Sequence, residues 1–288
     1  MIYLRSFEFP AADCEFDFRN GVMTMAHTSF YPFGVLSAKR FFRAEFEPLT
    51  IFYGENGSGK STAINIIAEK LGAVRGCDFN KSEFYGDYLK LCYCDTSLET
   101  PGRIRVITSD DVFDYMLGIR AVNSGAQQDR TKLFEEYKYI KQRKKDFQYR
   151  TTEDFEELVK VNSARRNTMS AFTREQSAPD LREVSNGESA YAFFTDRISG
   201  AGLFLLDEPE NSLSPANQRR LAGFLEESVR FFGCQLIIST HSPFLLAMRG
   251  AKIYDLDDVP VRTKKYGQLE SMRTYSEFFK HLDIDGKF

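Results

Sequence analysis

Residues 51–62 read IFYGENGSGKST. A short apolar run stops at Gly54, two further glycines follow at Gly57 and Gly59, and Lys60, Ser61 and Thr62 close the stretch. The octet Gly54-Glu55-Asn56-Gly57-Ser58-Gly59-Lys60-Ser61 fits G-x-x-x-x-G-K-[ST] in full. The motif needs a strand before it and a helix after it. The first is expected from LTIFYG, and the second from STAINIIAEKLGAV, which sets Ile64, Ile67, Ala68 and Leu71 on one helical face. Glycines let successive backbone N–H groups turn inward around an anion. The helix N-terminus adds roughly half a unit of positive charge. Lys60 is therefore expected on the β- and γ-phosphates of a nucleotide, and the Ser61 hydroxyl on Mg²⁺. This reads as nucleoside triphosphate binding and leaves its purpose open.

The chain has 288 residues, of which 42% are hydrophobic, enough for one large domain or a domain with an inserted lobe. A net charge of -3 excludes a surface that attracts nucleic acid as a whole, so any basic patch is local. Five cysteines, an odd and scattered set with no leader before them, lead to the expectation of reduced thiols in a cytoplasmic protein. Cys92 and Cys94 form a lone C-x-C without a second Cys or His pair. Alternate positions on a strand explain them better than zinc does. No apolar run reaches 18 residues, so no membrane span is expected.

Working outward from the opening stretch, residues 1–53 read mostly as strands: IYLRSFEF, CEFDF, RFFRAEFE and LTIFYG. YLKLCYCD and GRIRVITS are two further strand candidates. From 111 to 182 the chain becomes charged and helical with only a thin apolar stripe, as in a protruding hairpin. Its basic run KQRKK (141–145) fits a solvated helix face or a contact to a nucleic-acid backbone. Beyond 182, apolar strands again alternate with helices. The expectation is an α/β fold of P-loop NTPase type: a mainly parallel sheet with helices on both faces, an N-terminal antiparallel β-subdomain and an inserted helical lobe. The boundaries are 1–110 and 183–288 for the two parts of the nucleotide domain, and 111–182 for the lobe.

LFLLDEPE ends an apolar strand in acids. Asp207 is expected to hold Mg²⁺ opposite Ser61, its strand lying beside the one that feeds the glycine loop. Glu208, directly after it, is placed to take a proton from an attacking water. His241 follows the apolar strand QLIIS and is a candidate to meet the γ-phosphate and that water. SNGES (185–189) puts small polar residues before a helix, a second anion-binding nest. One chain does not easily set two helix N-termini on opposite sides of one γ-phosphate; two chains arranged head to tail do.

Taken together, the loop at 54–62, SNGES, LFLLDEPE, NSLSP (211–215) and STHSP (239–243) resemble an ABC-type ATPase, with SNGE standing where S-G-G-Q is usual. DEPENSLSP and STHSPFLL resemble the stand-alone SMC/RecF/OLD-like branch, often labelled AAA-family ATPases. The resemblance covers about 1–110 and 182–260. It implies ATP and Mg²⁺ as cofactors and an ATP-dependent homodimer. Ser185, Asn186, Gly187 and Glu188 of one subunit would cap the γ-phosphate held by Lys60 of the other. Glu208 would polarise the water and His241 would sense the phosphate. Members of the branch act on DNA, RNA or an effector protein, in DNA repair and maintenance or anti-phage defence. The alternative is the ATP-binding subunit of a transporter, which would need a membrane partner and a glutamine loop. No such glutamine is evident here. Ser109, Asp110 or Asp111 stand at its place, and Tyr31 or Phe33 are candidates to stack on adenine.

Overall fold

The computed structural model describes residues 1–21, 29–97, 102–142 and 186–284, with isolated positions between 159 and 172. The chain divides into two compact units, one formed by Met1–Phe113 with Asn186–Phe288, the other by Asp114–Ser185.

Two sheets make up the first unit. The smaller is antiparallel in the order β2 (Arg43–Glu45), β1 (Leu4–Glu8), β4 (Tyr93–Thr96). The larger has six strands in the order β5 (Ile104–Thr108), β6 (Gly202–Asp207), β7 (Cys234–Ser239), β3 (Leu49–Tyr53), β8 (Lys252–Asp255), β9 (Arg262–Lys264). All its pairings are parallel except β8 with β9. A parallel strand covered on both faces has no solvent side, so its sequence is a continuous apolar run. Every residue of β3 and β7 is buried accordingly.

Asp207 does not lie on the strand next to the loop-feeding strand, contrary to the sequence expectation. β7 is inserted between β6 and β3. The apolar runs of β3, β6 and β7 are alike, so nothing in them encodes neighbour order. The insertion brings Ser239, the last residue of β7, to Asp207 and the next residue, Thr240, to Phe52 on the loop-feeding strand.

Two strand expectations are also corrected. CEFDF lies in α1 (Ala12–Gly21). Glu15 and Phe18, three apart, share a helical face. The Glu15 carboxylate accepts from the Ser37 hydroxyl at 2.6 Å and the Gly34 N–H at 2.8 Å, and Phe18 stacks on Phe33 with ring centroids 4.8 Å apart. The front of YLKLCYCD is the end of α3 (Tyr85–Leu91), and the strand begins only at Tyr93. Tyr85 and Tyr88 give α3 its buried face.

The helix after the loop, α2 (Lys60–Lys70), buries Ile64, Ile66, Ile67 and Ala68 in the core shared with the small sheet. One side chain ties the sheets together. Gln235 on β7 is fully buried; its Oε1 accepts from the N–H groups of Tyr3 and Leu4 at 2.7 and 2.8 Å, and its Nε2 donates to Leu4 O at 2.8 Å.

The second unit holds most of α4 (Ser109–Gln142). Within it, Tyr137 packs on buried Phe172 with centroids 5.5 Å apart. Of the basic run at 141–145, positions 143–145 lie outside the described residues. The remaining helices belong to the first unit: α5 (Asn186–Arg197), α6 (Pro215–Phe231), α7 (Pro243–Leu246) and α8 (Glu270–Ile284). Among the described residues no helix is long and apolar enough to cross a membrane.

Candidate nucleotide site

The loop between β3 and α2 takes the conformation its glycines allow. Gly54, Gly57 and Gly59 have φ of 155°, 84° and 99°, values that side-chain-bearing residues rarely adopt. A Cβ on Gly54 would meet Ser58 Oγ at 2.5 Å, so the loop is also too tight for one. The buried Lys60 ammonium donates to the carbonyls of Gly54 and Glu55 at 2.7 and 2.9 Å and stands 3.6 Å from Glu208 Oε1. Ser58 Oγ is buried without a hydrogen-bond partner, an orphaned polar atom of the kind a bound anion's cradle contains.

Asp207, at the end of β6, receives the Ser61 hydroxyl at 3.0 Å and the Ser239 hydroxyl on the same oxygen. Burial pushes its carboxyl above the ordinary value against those two donors, and Glu208 adds to the rise. A serine hydroxyl and a carboxylate held together are hard oxygen donors that suit Mg²⁺. The donor set fits that ion.

Glu208 sits in the left-handed region at φ 48°, ψ 54°. Such strain in a residue with a side chain points to a held position. Its N–H is held by Ser239, with the backbone carbonyl at 3.0 Å and the hydroxyl at 3.1 Å. Its Oε2 accepts from Asn211 Nδ2 at 3.0 Å. The turn sends Glu208 towards Lys60 and turns Glu210 the other way, into the segment after β7. There Glu210 Oε1 accepts from the Thr240 hydroxyl at 2.6 Å and the N–H groups of His241 and Ser242 at 2.8 and 3.2 Å. His241 Nδ1 is 3.4 Å from the same oxygen, and half of the His241 side chain is exposed.

Asp257, two residues beyond β8, accepts the Glu55 N–H at 3.1 and 3.0 Å on its two oxygens. Burial raises its carboxyl too. A cavity of about 570 Å³, within the usual range for ligand sites, is lined by Gly54, Glu55, His241, Asp257 and Glu270 among others.

The structure thus brings Lys60, Ser61, Asp207 and Glu208 together, with His241 close by across Glu210. Tyr31 donates its hydroxyl to Thr62 Oγ1 at 3.2 Å and lines a second cavity of about 740 Å³ with Asn65, Phe79 and Lys81. Phe33 is not available for stacking: it is buried against Phe18 and Tyr88. Asp110 is exposed. Asp111 is not solvated as a helix start would be, but buried, its carboxylate accepting from the Thr108 N–H and hydroxyl at 2.7 and 3.0 Å. Ser185 lies outside the described residues; α5 starts at Asn186, with Gly187 and Glu188 in its first turn. Sequence reasoning missed Glu210, Asp257 and Ser239. The last acid in DEPE was a visible signal for Glu210; Asp257 gave none.

Fold and site define the class: an α/β P-loop fold with a candidate nucleoside triphosphate site. Residues 174–247 match the family described as "AAA domain, putative AbiEii toxin, Type IV TA system". A search of curated proteins found no match. Among solved structures, the Smc head domain of Pyrococcus furiosus, with an extended coiled coil and bound to the C-terminal domain of ScpA, is 15% identical. That match covers 96% of this chain and 100% of the other at a TM-score of 0.41. The SMC head domain of Thermotoga maritima is 14% identical, over 88% and 94%, at 0.37. "An inward-facing conformation of a putative metal-chelate type ABC transporter" is 17% identical, over 80% and 76%, at 0.37. Likenesses at these scores decide nothing about function.

Proposed function

We propose that this chain binds ATP with Mg²⁺ and hydrolyses it in a head-to-tail homodimer. The cycle is a conformational switch acting on DNA, RNA or an effector protein, in repair, maintenance or anti-phage defence. The observation that carries the reading is the meeting of Ser61 with Asp207 and of Lys60 with Glu208, from segments far apart in sequence.

In this reading the loop amides of 54–61 and Lys60 hold the β- and γ-phosphates. Ser61 and Asp207 hold Mg²⁺, which when bound neutralises charge on the phosphate oxygens. Glu208 accepts a proton from the attacking water, and its strained backbone and Asn211 fix where its carboxylate points. His241 stands by to contact the γ-phosphate. Ser185, Asn186, Gly187 and Glu188 of the partner close over it, and departure of the γ-phosphate releases them.

Glu208→Gln tests the reading. The variant is expected to keep ATP affinity within about threefold and to lose at least about a hundredfold in hydrolysis, the usual weight of a general base. It should also accumulate a dimer with ATP and Mg²⁺, read by light scattering. A variant that stays monomeric at high protein and ATP concentration overturns the switch.

A further inference from the structure

We infer that Glu210 is a positioning residue that holds the His241 segment in register with the water-activating turn. The inference rests on the reading of His241 given above. The carboxylate is nearly sealed from solvent, 3% exposed against 50% for the His241 side chain. One oxygen, Oε1, gathers the Thr240 hydroxyl and the His241 and Ser242 N–H groups, and faces His241 Nδ1 at 3.4 Å. Three successive residues after β7 are thus bound to a single atom of the turn that carries Glu208.

The connections do not stop there. The Thr240 N–H donates to Phe52 O at 3.1 Å, on the strand that feeds the glycine loop. The Ser242 hydroxyl donates to Gln218 Oε1 at 2.7 Å, and Gln218 Nε2 donates to Leu213 O at 3.0 Å, just after the same turn. Glu210 ties the acid turn to the histidine segment, and Thr240 ties that segment to the loop strand. A carboxylate beside Nδ1 favours the tautomer with its proton on that nitrogen, leaving Nε2 for a ligand. Glu210 therefore acts through His241 and touches no reacting atom. Asn211, not Glu210, is the neighbour of the Glu208 carboxylate.

The test uses the intact chain as wild type, Glu210→Ala, Glu210→Gln, His241→Ala and the Glu210→Ala/His241→Ala double variant. The chain has three histidines, so the His241 imidazole ¹⁵N signals are assigned by their disappearance in His241→Ala. In nucleotide-free protein at about pH 8, where an ordinary histidine is neutral, wild type is expected to carry the His241 proton on Nδ1. Glu210→Ala shifts it towards Nε2. In ATP hydrolysis, Glu210→Ala lowers kcat about tenfold or more with KM within about threefold. It lowers the rate less than about twofold further in the His241→Ala background, because coupled residues are not additive. Glu210→Gln, which keeps an acceptor oxygen and guards against a variant that fails to fold, recovers part of kcat. An unchanged tautomer, or a full additional loss on top of His241→Ala, overturns the inference. If wild type does not hydrolyse ATP, the proposed function falls. The tautomer comparison needs no nucleotide and still decides whether Glu210 holds the ring.

Discussion

Asp207 carries an electrostatic burden in the metal-free protein. Burial raises its carboxyl above the ordinary 3.8, so the folded chain binds its proton more tightly than the unfolded chain does. Stability from this group is present below the unfolded value and falls as pH rises through the window from there to the folded value. Asp207→Asn keeps an acceptor for Ser61 and Ser239 and removes the charge. Without Mg²⁺ and nucleotide, its melting temperature at pH 7 is expected to equal or exceed that of wild type, with a flatter pH profile, while Mg²⁺-dependent hydrolysis is abolished. Thermal melts from pH 4 to about 8 check this; a variant markedly less stable at pH 7 contradicts it. That Asp207, Glu208, Lys60 and Ser61 come together as a candidate site was legible in the sequence, because a tight anion loop and a strand-end acid pair need fixed residue types at fixed spacing. Asp257 was not, because its partner Glu55 lies 202 residues away in sequence and only the β3–β8 pairing brings them together.

At the scale of elements, β7 does more than fill the sheet. Through Gln235 it satisfies backbone groups of β1, which belongs to the other sheet. Gln235→Leu would remove the acceptor that the Tyr3 and Leu4 N–H groups share and the donor to Leu4 O, at about 1–3 kcal/mol for each buried polar group that loses its bond. A loss of several kcal/mol in denaturant unfolding is expected, with nucleotide-site residues untouched. A variant within about 0.5 kcal/mol of wild type, the usual spread for inconsequential sites, removes Gln235 as a tie. The parallel strands were readable as unbroken apolar runs because both their faces are covered. Their order was not, since β3, β6 and β7 present nearly the same pattern. CEFDF misled because a short aromatic-acid alternation fits a strand and a helix alike, and the partners that chose the helix, Ser37 and Gly34 on Glu15, lie outside it.

For the whole molecule the decisive claim is two chains sharing one nucleotide. Ser185→Arg would put bulk and charge at the proposed cap and leave the sequence of the glycine loop unchanged. It is expected to bind ATP within about threefold of wild type, to stay monomeric with ATP and Mg²⁺, and to forfeit most hydrolysis, read by calorimetry, light scattering and phosphate release. A dimer of wild-type stability in this variant would place the cap elsewhere.

The strand that feeds the glycine loop has both its hydrogen-bonding neighbours, β7 and β8, in the later part of the chain. During synthesis, then, the phosphate cradle leaves the ribosome long before the sheet neighbours of its feeding strand do. No nascent polypeptide that stops short of β7 has a parallel partner for the strand that feeds the loop. Until that strand emerges the cradle stays idle, whatever the ATP concentration around it.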